Sequence, residues 1–170
     1  MKLSTWVQFS WNLKTLPVET PKIDPRYIVE AATLDDRNLL MAAVSRSVSM
    51  EPAWSDDMNA RVKLAEEIVH TAFPAGEVTF IAVKHGARII ATAAIRDAGD
   101  KVSNIPLGVC VLNEYRSRGL GTFLLYESLR RLKERGLDEA RLVTKKGLTA
   151  DKYLYAKFGS KRIVLDTVPV

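Results

Sequence analysis

From residue 107 to residue 144 the chain reads strand, loop, helix, strand. Residues 107–112 are an apolar run that predicts a buried strand. Gly119 and Gly121 mark the loop, a helix follows over about residues 119–135, and Gly136 ends it. Residues 140–144 are the next strand. A strand–helix–strand run of this kind is a βαβ unit, so the second half of the chain is mixed α/β.

The first half has a different rhythm. Val7, Phe9, Trp11 and Leu13 alternate with Gln8, Ser10, Asn12 and Lys14, the period of a half-buried strand. Pro17, Pro21 and Pro25 make an extended linker, and residues 27–31 are a second short strand. Thr33 and Asp36 form a capping box that opens a helix burying Leu34, Leu39, Leu40, Ala43 and Val44. After the break at residues 52–55, Met58, Val62, Ala65, Val69 and Ala72 repeat at helical spacing. Residues 78–84 and 87–96 are strands joined by the turn His85-Gly86, and residues 97–104 are a polar turn. A short helix over residues 149–158 and a strand over 161–165 close the order β-β-α-α-β-β-β-α-β-α-β. Residues 1–26 therefore read as a strand with a proline-rich linker, and residues 27–170 as one domain.

Composition bounds the chemistry. The 170 residues suit a single core, and 47% hydrophobic with 26% charged residues is a globular balance. Apolar runs are only a few residues long, so none spans a bilayer. Gln8, Ser10, Asn12 and Lys14 interrupt any signal-peptide core, and the expectation is a soluble, cytoplasmic protein. One cysteine and two histidines leave no disulfide framework and no zinc site of the common type. The net charge of +5 sits entirely in residues 116–146, with nine bases against four acids. Such an excess suits an anionic partner. No aromatic residues interleave with these bases, which argues against nucleic acid.

The loop before the helix is where an anion would sit. The first turn of a helix carries unpaired N–H groups and the positive end of the macrodipole. Gly119 and Gly121 let a ligand approach the backbone, and Arg116 and Arg118 add guanidinium donors. A P-loop is excluded, because no Gly-Lys-Ser or Gly-Lys-Thr occurs. A dinucleotide fingerprint would want glycine at position 124, which is Leu124.

Arg116-Ser117-Arg118-Gly119-Leu120-Gly121 resembles the [RQ]-x-x-G-x-[GA] loop of the GNAT superfamily of acyl-CoA-dependent N-acyltransferases. Glu114-Tyr115 before it is also typical, and Leu154-Tyr155-Ala156-Lys157-Phe158-Gly159 is similar to the family's LYxKxGF segment. The resemblance implies the GNAT fold: a mixed central sheet with an antiparallel N-terminal half and a βαβ cofactor-binding half, here with an extra N-terminal strand. It implies acetyl-CoA as cosubstrate, no metal, and an amine acceptor. The thioester and pantetheine arm would lie along Val109, Cys110 and Val111. The pyrophosphate would sit on the amides of Arg116, Ser117, Arg118, Gly119, Leu120 and Gly121, with Thr122. Tyr155 would protonate the departing thiolate.

Three places depart from the family pattern. Leu148 stands where an asparagine often touches the cofactor, Ser160 replaces the usual phenylalanine, and the family's last strand is not evident. The extra strand over residues 7–13 is expected to replace it, in the same subunit or in a dimer partner; Trp6 and Trp11 hint at a homodimer. A carboxylate reached through water would serve as general base. Glu114, Asp97 and Glu51 are the candidates. Main-chain amides near Val111 would hold the developing oxyanion. Cys110, alone in an apolar strand, reads as a small core residue rather than a nucleophile. Trp54 lies in the region that shapes the family's acceptor pocket, where Glu51, Asp56 and Asp57 could greet a cationic amine. A noncatalytic acyl-CoA-binding or partner-binding module on the same fold is the alternative reading.

Overall fold

A computed structural model describes residues 4–96 and 101–165. Two four-stranded sheets share one long helix. The first contains β2 (Ile28–Ala31), β3 (Val78–His85), β4 (Arg88–Arg96) and β6 (Cys110–Val111), all antiparallel in that order. The second has the order β5 (Val102–Asn104), β7 (Glu139–Lys145), β1 (Trp6–Asn12) and β8 (Lys161–Leu165). Here β5 runs parallel to β7, while β1 is antiparallel to both neighbours. The N-terminal strand thus joins the second sheet within its own subunit, with Val7 opposite Thr144 on one side and Val164 on the other.

The alternation read in residues 7–13 places Val7, Phe9, Trp11 and Leu13 in the core, all at 1% exposure or less. Trp11 donates its indole N–H to the Lys157 carbonyl at 2.9 Å, so this ring is satisfied within the chain. Helix α3 (Leu120–Glu134) ties the sheets together. Leu120, Phe123 and Leu124 pack into the core of the first sheet, and Leu125, Tyr126, Leu129 and Leu132 into that of the second. Each such leucine contributes about 1.5–3 kcal/mol on burial, so α3 fixes how the two sheets meet. Arg130 and Arg131 on this helix pair with the buried Glu127, which removes part of the positive face expected from the sequence.

The remaining helices are α1 (Arg37–Ser49), α2 (Met58–Glu67) and α4 (Thr149–Tyr153). A turn of π-helix over Ile68–Ala72 extends α2. The capping box forms: the Asp36 carboxylate accepts from the Thr33 N–H at 2.9 Å. The buried face of α1 is Leu40, Ala43, Val44, Ser47 and Val48; Leu34 and Leu39, expected inside, face solvent. Residues 34–36 form a 3₁₀ turn, which takes Leu34 out of phase with the helix behind it, and Leu39 flanks the buried stripe of α1. Among the described residues no helix is long and apolar enough to cross a membrane.

Three expectations need correction. Residues 102–104, assigned to a turn, are β5. The strand expected over residues 107–112 shrinks to the ladder of Cys110 and Val111. The helix expected over residues 149–158 ends at Tyr153, and Phe158 takes a φ of +62° that an α-helix cannot hold. The first two have one cause. Ile105 still donates to the Arg141 carbonyl in the second sheet, but Pro106 has no N–H, and the ladder stops there. The chain then crosses to the first sheet, where Leu112 donates to the Ile90 carbonyl.

Candidate active site

The crossing opens a cleft of about 630 Å³ between β6 and β7. In an antiparallel ladder successive residues point their main-chain groups to opposite sides. Leu112 faces β4, so Val109 and Val111 turn their N–H groups toward the cleft. The Val109 N–H donates to the Tyr155 hydroxyl at 3.1 Å. Val109, Cys110, Val111, Thr144 and Tyr155 all line this space.

Tyr155 is held firmly. It is 2% exposed, with Phe9 at 5.5 Å and Trp11 at 6.4 Å between ring centroids. Ser160, where the family pattern has phenylalanine, donates to the Tyr155 carbonyl at 2.6 Å, so this departure supplies a hydrogen bond to the tyrosine itself. Burial pushes the phenol pKa up to about 12, against the Val109 N–H that favours the anion. At neutral pH the hydroxyl carries its proton. Gly108 makes room for it: a Cβ there would lie 2.1 Å from the tyrosine oxygen.

At the other end of the cleft lies the start of α3. Gly119, at φ +79°, precedes the first helical residue, Leu120, and no side chain caps the helix. The first intrahelical bond is from Phe123 to the Gly119 carbonyl, which leaves the amides of Leu120, Gly121 and Thr122 without helical acceptors. Ser117 is also in the left-handed region, at φ +63°. The Arg116 amide, expected to join this set, instead donates to the Asn113 carbonyl. Arg116, Ser117, Gly119, Leu120, Gly121 and Thr122 all line the cleft.

Arg118 does not line it. Its guanidinium donates to the Tyr27 hydroxyl at 3.0 Å and the Glu114 carbonyl at 3.3 Å, and stacks on Tyr115 at 5.0 Å. It braces the loop from behind. Glu114 is likewise absent from the cleft. Its carboxylate pairs with Arg88 at 2.7 Å and Arg46 at 3.5 Å, and its pKa is held below the usual carboxylate range by a hydrogen bond from its own backbone N–H and by these arginines. A carboxylate so stabilised is a poor base. Asp97 lies outside the described residues. Of the three acids considered, Glu51 lines the cleft, accepting from the Thr149 hydroxyl at 2.9 Å and from the Ala53 N–H.

Cys110 is buried, and its thiol pKa is raised by that burial. It stays protonated, which agrees with a packing role rather than a nucleophilic one. Trp54 and Leu148 are buried side chains of the cleft wall. Sequence reasoning missed Lys157 as a site residue. Its ammonium donates to the Thr122 hydroxyl at 2.8 Å, adding a cation beside the free amides. The signal was present in the segment around Tyr155, but only the fold brings it to α3.

These features agree with the comparisons to known proteins. The sequence profile of the acetyltransferase (GNAT) family matches residues 41–160. This chain belongs to that family. Among solved structures, the PaiA N-acetyltransferase from Thermoplasma acidophilum in complex with coenzyme A superposes with a TM-score of 0.62 at 14% identity, covering 76% of this chain and 86% of that one. A GCN5-related N-acetyltransferase from Sphaerobacter thermophilus gives a TM-score of 0.70 at 18% identity over 96% of this chain and 51% of that one. Another from Kribbella flavida gives 0.63 at 17% identity over 98% and 59%. The chain therefore spans little more than half the length of the latter two GNAT proteins. No curated protein matches the sequence. The GNAT fold and acyl transfer as a general class follow from this membership.

Proposed function

We propose that this GNAT chain transfers an acetyl group from acetyl-CoA to a primary amine by direct attack. The observation that carries this reading is one cleft holding both the protonated Tyr155 hydroxyl and the amides of Leu120, Gly121 and Thr122, which have no helical acceptor. These residues fit the cosubstrate: the uncapped helix start suits a diphosphate, and Lys157 and Arg116 add charge. The inward amide of Val111 suits a pantetheine arm laid along β6, while the Val109 N–H is already given to the Tyr155 hydroxyl. When bound, acetyl-CoA would supply an activated thioester carbonyl.

The chain's own residues then have three tasks. Holding an amine and a carbonyl in attack geometry supplies about 7–11 kcal/mol. A lysine-like amine has a pKa of about 10.4, so freeing its lone pair at neutral pH costs about 4.6 kcal/mol. Glu51 is the cleft carboxylate that can take that proton through water. Tyr155 holds a proton for the leaving thiolate, and the Val111 N–H, turned toward the cleft, would be the donor to the oxygen on which charge develops.

Release of free thiol from acetyl-CoA across a panel of primary amines tests the reading. Amine-dependent release is expected. Coenzyme A binding, seen as a thermal shift, with no release for any amine would instead identify a noncatalytic binding module.

A further inference from the structure

Arg61, on α2, has no task in the chemistry above. It lines both the acetyl-transfer cleft and a second cavity of about 420 Å³, so it stands where the two adjoin. Its guanidinium lies 4.8 Å from the centre of the Trp54 ring. Among the described residues it forms no ion pair and no hydrogen bond with a carboxylate. The ionisable groups whose charge reaches it are Cys110 and Tyr155, and burial keeps both neutral. Burial also pushes the guanidinium's own pKa down, although an arginine keeps its charge at any ordinary pH. Arg61 is partly buried, with the Trp54 face beside it and no ion-pair partner among the described residues, so an incoming anion supplies the counter-charge it lacks.

The surroundings have the same bias. Asp57, in the wall of the second cavity, is held by Lys145 at 2.8 Å and by the Ser4 hydroxyl at 2.5 Å. Asp56 is exposed, and neither acid is free inside to meet a cationic group. Arg141, in the same wall, is paired with Glu139. Trp6 lines this cavity too, and its indole N–H is buried with no acceptor among the described residues. The wall of this space holds an arginine with no carboxylate partner among the described residues, and its carboxylate, Asp57, is already engaged.

We propose that Arg61 binds an oxyanion carried by the acceptor, a carboxylate or a phosphate a few bonds from the amine that is acetylated. This rests on the acetyl-transfer reading and adds the substrate class to it. The planar fork of an arginine matches either oxyanion with two parallel hydrogen bonds. The cavity is of the size that takes a small molecule, so a free amino carboxylate or amino phosphate fits. A polyamine would bring a second cation against Arg61.

Two substrate series test this: amino acids against their amides, and aminoalkyl phosphates against the matching amino alcohols. In at least one series kcat/KM should favour the anionic member by about 10- to 100-fold, the range for hydrogen bonds to a charged group. The series that shows the preference names the oxyanion. Arg61→Met should collapse that ratio toward one, and Arg61→Lys should keep part of it. A coenzyme A thermal shift checks that each variant is folded; if the methionine variant is not, the lysine variant and the wild-type ratios decide. Equal or lower activity on the anionic members, or a ratio that survives loss of the guanidinium, overturns the proposal. If no amine in either series is acetylated, thermal shifts with the same compounds in the presence of coenzyme A separate the two readings. Stabilisation by the anions that depends on Arg61 then supports the oxyanion site while acetyl transfer fails; no such stabilisation overturns the site.

Discussion

Tyr155→Phe should lower kcat by about 10²- to 10⁴-fold, the usual worth of a positioned general acid. The ring would keep its contacts with Phe9 and Trp11, so the core should survive. What is lost is the proton donor and the acceptor of the Val109 N–H. Leaving that partly buried donor unpaired costs about 1–3 kcal/mol of stability. The two effects separate cleanly: steady-state kinetics read the first, and thermal or chemical unfolding reads the second. Because burial raises the phenol pKa to about 12, the wild-type pH–rate profile should show no loss of this acid as pH rises through 10. The sign follows from the direction of the shift, since a raised pKa keeps the proton on the tyrosine as pH climbs through 10. Turnover by the phenylalanine variant equal to wild type would remove Tyr155 from the mechanism.

Gly108→Ala should be nearly as damaging, although the substitution adds one methyl group. Its Cβ would lie 2.1 Å from the tyrosine oxygen and 3.3 Å from the ring carbon that bears it. Tyr155 cannot swing aside, being packed against Phe9 and Trp11 and anchored through its carbonyl by Ser160. Overpacking of this kind costs about 1–3 kcal/mol. The backbone crossing between the sheets must shift, and it carries the Val109 amide with it. Displacing a catalytic group by about 1 Å can cost 10²-fold in rate, so kcat should fall at least that far. Kinetics at saturating acetyl-CoA and an unfolding curve check both. Wild-type kcat in this variant would mean that the close approach of Gly108 to Tyr155 is dispensable.

Much of this fold is legible in local periodicity. The alternation from Val7 to Leu13, the hairpin at His85-Gly86 and the helix behind Gly119 are all local signals, and each has its counterpart in the structure. What escaped is set by partners distant in sequence. Residues 102–104 are short and partly polar, and become a strand only because β7 lies beside them. The apolar run from Leu107 looks continuous, yet Pro106 and the shift to a different sheet leave two residues of it in a ladder. The same holds for the site. The glycine loop and Tyr155 are adjacent to recognisable motifs. Glu114 reads as a free carboxylate until Arg46 and Arg88 are seen beside it, and Arg118 reads as an anion donor until Tyr27 claims it. Lys157 sits inside the motif around Tyr155, but its place beside Thr122 is set only by the fold, and Arg61 carries no sequence signature, because its meaning comes from the cavities it lines.

A crystal structure of this chain with coenzyme A tests the central claim most directly. The diphosphate should rest on the amides of Leu120, Gly121 and Thr122, with the pantetheine arm beside Val109 and Val111 and the sulfur within reach of the Tyr155 hydroxyl. Coenzyme A bound elsewhere on the chain, with the cleft between β6 and β7 left open, would contradict the account.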